Sequence, residues 1–322
     1  MQVSEGIHLI EVPTPFPVGP VNCYLIEGSP VTLVDTGVKS SLALAKFESG
    51  LSDTGYEIED IEQVCLTHGH VDHIGLVKTI IDRSKHDVKV WIHEMDSSRI
   101  TAYEEYIDDR MHAYHRIAFE SGAPVESGIL ESHNALAAYF LKFGESVPEV
   151  LHATNGDLIK SGLGDLTTVW VPGHSLGSLC YALKSQHVLF SGDHVLGDIS
   201  SNPSLDFDGI LGISILRYFE SLEKIRRYSD YLVLPGHRSL IHDLSARIEA
   251  LLSDYDEKLE RASQHITSTP ISIYKLSRYL YGEYDDSQLI LALAETQDLV
   301  RVLETRGVAQ LVKRESTYYA QK

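Results

Sequence analysis

Residues 67–75, Thr-His-Gly-His-Val-Asp-His-Ile-Gly, constrain this chain more than any other stretch. Within six positions His68, His70, Asp72 and His73 offer three imidazoles and a carboxylate, donors that suit Zn, Fe, Mn or Ni. Residues 61–65 before them have strand character, and an apolar helical pattern over 74–83 follows. Four side chains so close in sequence diverge and cannot all reach one ion. His68 and His70, two apart, share a side of the chain, while Asp72 and His73 reach a neighbouring point. The spacing predicts two cations about 3.5–4 Å apart, the separation found in hydrolytic metal pairs.

A single turn histidine would read as a solvated residue. Three with an aspartate do not, because the chain supplies matching donors downstream. His174 lies in Pro-Gly-His-Ser after the strand-like 168–171, and Asp193 in Phe-Ser-Gly-Asp-His after 187–190. His237 lies in Leu-Pro-Gly-His after 231–234. Each is a donor at the C-terminal end of an apolar strand, beside a glycine that lets the backbone turn sharply. Asp35, in Val-Asp-Thr-Gly, ends another such strand and is placed to support a metal-bound histidine.

His68, His70, Asp72, His73, His174, Asp193 and His237, in that order, resemble the complete donor set of metallo-β-lactamase-fold hydrolases of the glyoxalase II kind. The resemblance spans roughly residues 7–260. It implies an α/β chain folded as that family's four-layer αββα sandwich. It also implies that His68, His70 and His174 hold one cation and Asp72, His73 and His237 a second, with Asp193 bridging. Two divalent ions are implied, zinc first, with iron, manganese or nickel as alternatives. The implied chemistry is hydrolysis, with a hydroxide bridging the cations as nucleophile and Asp72 orienting it or passing on its proton. His194, beside Asp193, reads either as a further catalytic or substrate-binding donor or as a half-buried structural histidine.

Departures from neighbouring branches narrow the substrate. Metal-dependent β-lactamases usually carry Cys where Asp193 stands and lack the histidine at 73. Nuclease branches usually bring an extra domain or arm, and glyoxalase II enzymes carry glutathione-binding basic residues with no convincing match here. A carboxylic ester, thioester or lactone remains, with neutral phosphotriesters as a side reaction. Two other classes stay open: a single-strand-specific endoribonuclease at the same cations, and a non-hydrolytic or redox di-metal protein.

The formal net charge of −19, from 46 acidic and 27 basic residues, argues against a nucleic-acid partner, since phosphate contacts need basic surface. No apolar run approaches the ~18 residues of a membrane span. Met1-Gln-Val-Ser-Glu-Gly shows no basic or apolar leader. Cys23, Cys65 and Cys180 are odd in number, widely spaced and each in an apolar stretch. They read as reduced, buried thiols of a cytoplasmic protein.

Residues 7–12, 21–27, 31–35 and 88–93 read as strands and 40–51 as a helix. From 97 to about 143 the alternation stops in a helical insertion broken at Gly122 and Pro124. It carries Tyr103, Tyr106, Tyr114, Phe119, Tyr139, Phe140 and Phe143. Aromatics at helical spacing are ordinarily core, yet an insertion of this length, taken as 97–150, also reads as a cap over the site. His112 and His115 within it read as surface or packing residues. Helices over 210–228 and 240–266 close a catalytic domain of residues 1–266. Residues 267–322 then read as helices over 273–280 and 287–305 and strands over 308–313 and 317–320, a pattern that resembles a winged helix. Seven basic side chains balance seven acidic ones over residues 265–322. Packing or homodimerisation is therefore expected of this unit, and a small acyl compound is the expected partner of the whole.

Overall fold

The computed structural model describes residues 1–124, 133–204, 210–284 and 286–322. Strands β1 (Gln2–Ser4), β2 (Ile7–Val12), β3 (Val21–Ile26), β4 (Thr32–Val34), β5 (Gln63–Cys65), β6 (Lys89–Ile92) and β7 (Leu151–His152) form one sheet in sequence order. Neighbours from β1 to β4 pair antiparallel, and those from β4 to β7 parallel. The second sheet comprises β8 (Leu158–Ser161), β9 (Gly164–Trp170), β10 (Leu179–Leu183), β11 (Val188–Gly192) and β12 (Leu232–Pro235). Its order is β12-β11-β10-β9-β8, antiparallel except between β11 and β12. The helices are α1 (Ser41–Ser52), α2 (Val71–Ile74), α3 (Val77–Arg83), α4 (Glu94–Thr101), α5 (Tyr103–Glu120) and α6 (His133–Phe140). After them come α7 (Ser214–Ile225), α8 (Leu244–His265), α9 (Ile273–Tyr281) and α10 (Asp286–Thr305).

Side chains alternate between the two faces of a strand, and that alternation sets the layers. Ile7 and Leu9 of β2, Tyr24 and Ile26 of β3, and Tyr181 and Phe190 of the second sheet fill the space between the sheets. Ile10, Val12, Cys23 and Leu25 face the other way, onto α1 and α3 through Phe47, Leu51 and Ile80. Cys180 and Ala182 likewise turn outward onto α7 and α8 through Tyr218, Leu222, Ile248 and Leu251. Helix, sheet, sheet and helix make the four-layer αββα sandwich expected from the sequence. The three cysteines are free and buried within it.

Two tyrosines connect this packing to the loops that follow. The Tyr24 hydroxyl donates to Pro235 O (2.7 Å) and that of Tyr181 to Leu66 O (2.6 Å). Leu66 O, buried, would cost about 1–3 kcal/mol if left unpaired, and Pro235 O accepts a second bond from Asn22 Nδ2 (3.0 Å). Both carbonyls lie close to donor histidines in sequence.

Three boundaries differ from expectation. The helix expected over 74–83 is two, α2 and α3, because the Leu76 amide donates to Gly37 O (3.1 Å) and leaves its own turn. A Cβ on Gly75 beside it would lie 2.3 Å from Phe143 O. The helix expected from 210 begins at Ser214. The one expected from 240 begins at Leu244, where the Asp243 carboxylate accepts from Ala246 N (2.8 Å) as a cap.

In the insertion, residues 125–132 lie outside the described residues. Tyr103 is buried behind the first sheet with Ile107, and its hydroxyl donates to Phe140 O (2.7 Å). Ile117 and Ala118, two turns further along α5 than Met111, join the cluster behind the second sheet. Packing accounts for these residues. Beyond Ile266, β13 (Ile271–Ser272), β14 (Gln310–Arg314) and β15 (Thr317–Gln321) form a sheet ordered β13-β15-β14. Leu276, Leu293, Val300 and Ala320 of this segment belong to the same apolar cluster as Tyr218, Ile248 and Tyr255. One continuous core therefore joins it to the helices of the second sheet. Among the described residues no helix is long and apolar enough to cross a membrane.

Candidate metal centre

Each expected donor sits just past a strand's C-terminal end. His68 and His70 follow β5, Asp72 and His73 begin α2, His174 follows β9, Asp193 follows β11 and His237 follows β12. The strand ends bring them into three overlapping groups: His68–His70–His174, His68–His73–Asp193 and Asp72–His73–His237. Within each group the donor atoms lie within 4.8 Å of one another.

In the first group His70 Nδ1 lies 3.0 Å from His68 Nε2 and 2.9 Å from His174 Nε2. The opposite nitrogen of His174 donates to Ser201 O, which leaves Nε2 with a lone pair aimed inward. Donors bound 2.0–2.1 Å from a tetrahedral zinc lie about 3.3 Å from one another, close to these separations.

Asp193 stands between the groups. Its Oδ1 is 3.5 Å from His73 Nε2, and its Oδ2 is 3.6 Å from His237 Nε2 and 3.7 Å from His174 Nε2. Asp72 Oδ2 lies 3.3 Å from His237 Nε2. His73 Nδ1 donates to Asp35 Oδ2 (2.8 Å) and His237 Nδ1 to Pro20 O (2.7 Å), so both Nε2 atoms point into the centre. Those two nitrogens and Asp193 Oδ1 are buried and have no hydrogen-bond partner among the described residues. Left bare, each would cost about 1–3 kcal/mol. A cation at their focus would remove that cost. Gly236 permits the approach: a Cβ there would lie 2.4 Å from Asp193 Oδ1 and 2.8 Å from His73 Cε1.

Asp35 does more than hold His73. Its carboxylate also accepts from Thr67 N and Thr67 Oγ1, both at 2.8 Å, and it sits at φ +58°, uncommon for a residue other than glycine. It thereby fastens the end of β4 to the start of the histidine loop.

The charges agree with the geometry. Burial would raise the Asp72 carboxyl, but the His73 and His237 imidazoles prevail and hold it down at about 2. Asp193 is held well below the usual carboxylate range, because His237 and His73 outweigh its burial. Burial opposes protonation of His73 and His237, yet Asp193, with Asp35 and Asp72, pushes His73 well up, and Asp193 with Asp72 raises His237. His68 goes the other way, driven well down by burial and then by His73, His70 and His174. The centre thus favours positive charge on its carboxylate side and bare lone pairs on the other.

Of the remaining candidates, His194 is buried with its ring edge-on to Tyr218 (5.2 Å between centroids) and joins none of the three donor groups. His112 is exposed on α5 near Asp108 and joins none either, nor does His115. Sequence reading missed Asp96. This carboxylate, 0% exposed, accepts from Gly69 N (2.8 Å), Ser175 Oγ (2.7 Å) and Gly177 N (3.0 Å), and pairs with Arg99 Nε (3.2 Å). It ties the loop between His68 and His70 to the loop after His174. In sequence it reads as an ordinary acid in the first turn of α4. The only signal was its place shortly after the strand that follows the motif.

Fold and donor clusters together define a class, an αββα protein with a His/Asp centre at its strand ends. The metallo-beta-lactamase superfamily model matches residues 16–237, and the chain belongs to that superfamily. Such proteins typically bind divalent metals, and the His/Asp clusters fit them. The probable metallo-hydrolase YqjP of Bacillus subtilis is 26% identical over 304 residues, covering 94% of this chain and 93% of that one. The metallo-beta-lactamase family protein TTHA1429 of Thermus thermophilus superposes at a TM-score of 0.84 over 100% of both chains. At 23% identity, that likeness shows the fold. An atrochrysone carboxyl ACP thioesterase of Aspergillus fumigatus is 30% identical over 97 residues, 30% of this chain and 27% of that protein.

Proposed function

We propose that this chain is a dinuclear metal-dependent hydrolase of carboxylic esters, thioesters or lactones. The observation that carries the reading is the convergence of buried, unpartnered His73 Nε2, His237 Nε2 and Asp193 Oδ1 beside a second, all-imidazole group. His68, His70 and His174 would hold one divalent ion, Asp72, His73 and His237 the other, with Asp193 touching both. Such ions, zinc first, would supply Lewis-acid polarisation of a substrate oxygen and acidify water towards neutrality.

The chain's own residues do the remaining work. Asp72, ionised at neutral pH, is placed to accept a hydrogen bond from a water and so to orient it. Asp35, the Pro20 carbonyl and the Ser201 carbonyl fix the tautomers of His73, His237 and His174. His194 is neutral, since burial pushes it down to about 3, and we assign it a packing role against Tyr218. A Cβ on Gly69 would lie 2.4 Å from Arg99 Cδ, so α4 of the insertion lies against the histidine loop. That contact supports a share for residues 97–150 in shaping the pocket.

An uncharged acyl substrate suits a chain of net charge −19 better than a polyanion does. The thioesterase relative supports the same class, and the neutral, winged-helix-like residues 267–322 are read as a packing unit. The test is kcat/KM for aryl esters, thioesters and lactones against cleavage of single-stranded RNA, at matched metal and low salt. Ester or thioester turnover abolished by His68→Ala is expected. RNA cut at His68-dependent rates while every ester is ignored would overturn the reading.

A further inference from the structure

We propose that Glu295, on α10 of the C-terminal segment, is a positioning residue for His174; the inference rests on the metal reading above. Glu295 is 5% exposed and lies where three helices meet. Its Oε1 accepts from Tyr255 Oη (2.9 Å) and Lys258 Nζ (3.2 Å), both on α8, and its Oε2 accepts from Tyr281 Oη on α9. Replacing a buried ion pair by packed apolar groups is often neutral for stability. Stability alone therefore does not account for a carboxylate here.

Proton counting gives the network a direction. Tyr255 has one hydroxyl proton, and Glu295, a carboxylate, can only accept it. Ser200 Oγ, 3.1 Å from the same tyrosine oxygen, must then be the donor to Tyr255. The next residue, Ser201, presents its carbonyl to His174 Nδ1 and donates its hydroxyl to His194 O (2.9 Å). Glu295 thus orders Tyr255, Tyr255 orders Ser200, and the carbonyl of the next residue, Ser201, sets the tautomer and tilt of a donor histidine.

Further restraints on the loop over 196–201 come from the same side. Arg247 of α8 holds Leu196 O and Ile199 O, each at 2.6 Å, and Tyr218 Oη lies 3.1 Å from His194 O. Glu295 is the contribution from beyond residue 266, and it gives the C-terminal segment a part in the centre that its sequence does not announce. Loss of a direct orienting partner of a ligating histidine typically costs 10–100-fold in metal affinity. A contact two links removed should cost about tenfold or somewhat less.

The test uses Tyr255→Phe, which keeps the ring packed on Tyr218 and Phe219, together with Ser200→Ala and Glu295→Gln. Zinc affinity is measured by chelator competition in the folded proteins, and hydrogen exchange is followed at the amides of 196–201 without metal. Each variant should weaken one of two zinc ions several-fold, leave the other unchanged and speed exchange in that loop. The Ser200→Ala/Tyr255→Phe double variant should be no worse than the poorer single. If Glu295→Gln does not fold, the other two decide. Parent-like affinity and exchange in Tyr255→Phe and Ser200→Ala would overturn the inference while leaving the metal reading intact. A parent chain that binds no zinc would overturn the metal reading instead.

Discussion

The half of the centre built on His68, His70 and His174 consists of imidazoles alone, whereas the half built on Asp72, His73 and His237 stands among Asp35, Asp72 and Asp193. Their supports differ too. A carbonyl on the 196–201 loop and the buried carboxylate of Asp96 steady the first half, from the second sheet and from α4. Asp35 and the Pro20 carbonyl steady the second directly, both from the first sheet, and Asp35 reaches the first half only through Thr67, whose hydroxyl lies 3.0 Å from His68 Nδ1. The imidazole half offers lone pairs directly, because burial keeps His68 unprotonated. In the carboxylate half the neighbouring carboxylates raise the proton affinity of His73 and His237, so a cation competes with protons there. Two halves a few ångströms apart should therefore differ in charge, in pH response and in the mutations that damage them.

Asp193 should show the largest effect, since its two carboxylate oxygens reach histidines of both halves. Asp193→Ala should loosen both cations and lower kcat/KM by more than about 100-fold, beyond the loss typical of an outer orienting partner. Intact metal content, or a loss no greater than that of His194→Ala, would remove Asp193 from between the halves.

Next come the two supporting aspartates. Asp35→Asn should weaken one cation about 10–100-fold and Asp96→Asn the other by a similar factor. Chelator competition on each variant, with His237→Ala and His174→Ala as references for the two halves, should show the losses falling on opposite sides. Losses on the same side would mean that the halves share one support.

A smaller contrast should appear in pH. Protonated His73 stabilises the metal-free fold, fully so below the unfolded imidazole value of about 6.5. That contribution is lost as pH rises through the raised folded-state value. The cation competes for the same nitrogen, so affinity at the carboxylate half should climb over that range. At the imidazole half no proton has to leave His68, so affinity should climb less over the same range. Calorimetric titration in buffers of different ionisation enthalpy would count the protons released, and equal release from both halves would break the contrast. The smallest effect belongs to His194→Gln, which should destabilise by about 0.5–3 kcal/mol, as core substitutions commonly do, and leave metal content at the parent level.

The seven candidate donors were legible because each lies in a turn or helix start after an apolar strand and most sit beside a glycine, a pattern that survives without knowledge of packing. Residues 7–12 and 21–27 were legible as strands, but not which of their faces lies between the sheets, because residues 21–26 are buried on both. Asp96 was not legible, because an acid in the first turn of a helix has a sufficient local explanation, and only packing brings Gly69 and Ser175 to it. The carbonyls of Pro20 and Ser201 carry no sequence signal at all, since every residue has one. Leu76 left its helix for Gly37 O, a long-range choice that the apolar pattern over 74–83 conceals. Nor does any local pattern reveal that residues beyond 266 share the core of α7 and α8, for their apolar faces would read alike in a separate unit.

Anomalous diffraction from zinc-loaded crystals, with elemental analysis of the same protein, tests the two-cation centre most directly. Two peaks per chain are expected, one among His68 Nε2, His70 Nδ1 and His174 Nε2 and one among Asp72, His73 Nε2 and His237 Nε2. Asp193 should touch both. A single peak per chain, together with full activity in His237→Ala, would contradict the division of the centre into two halves.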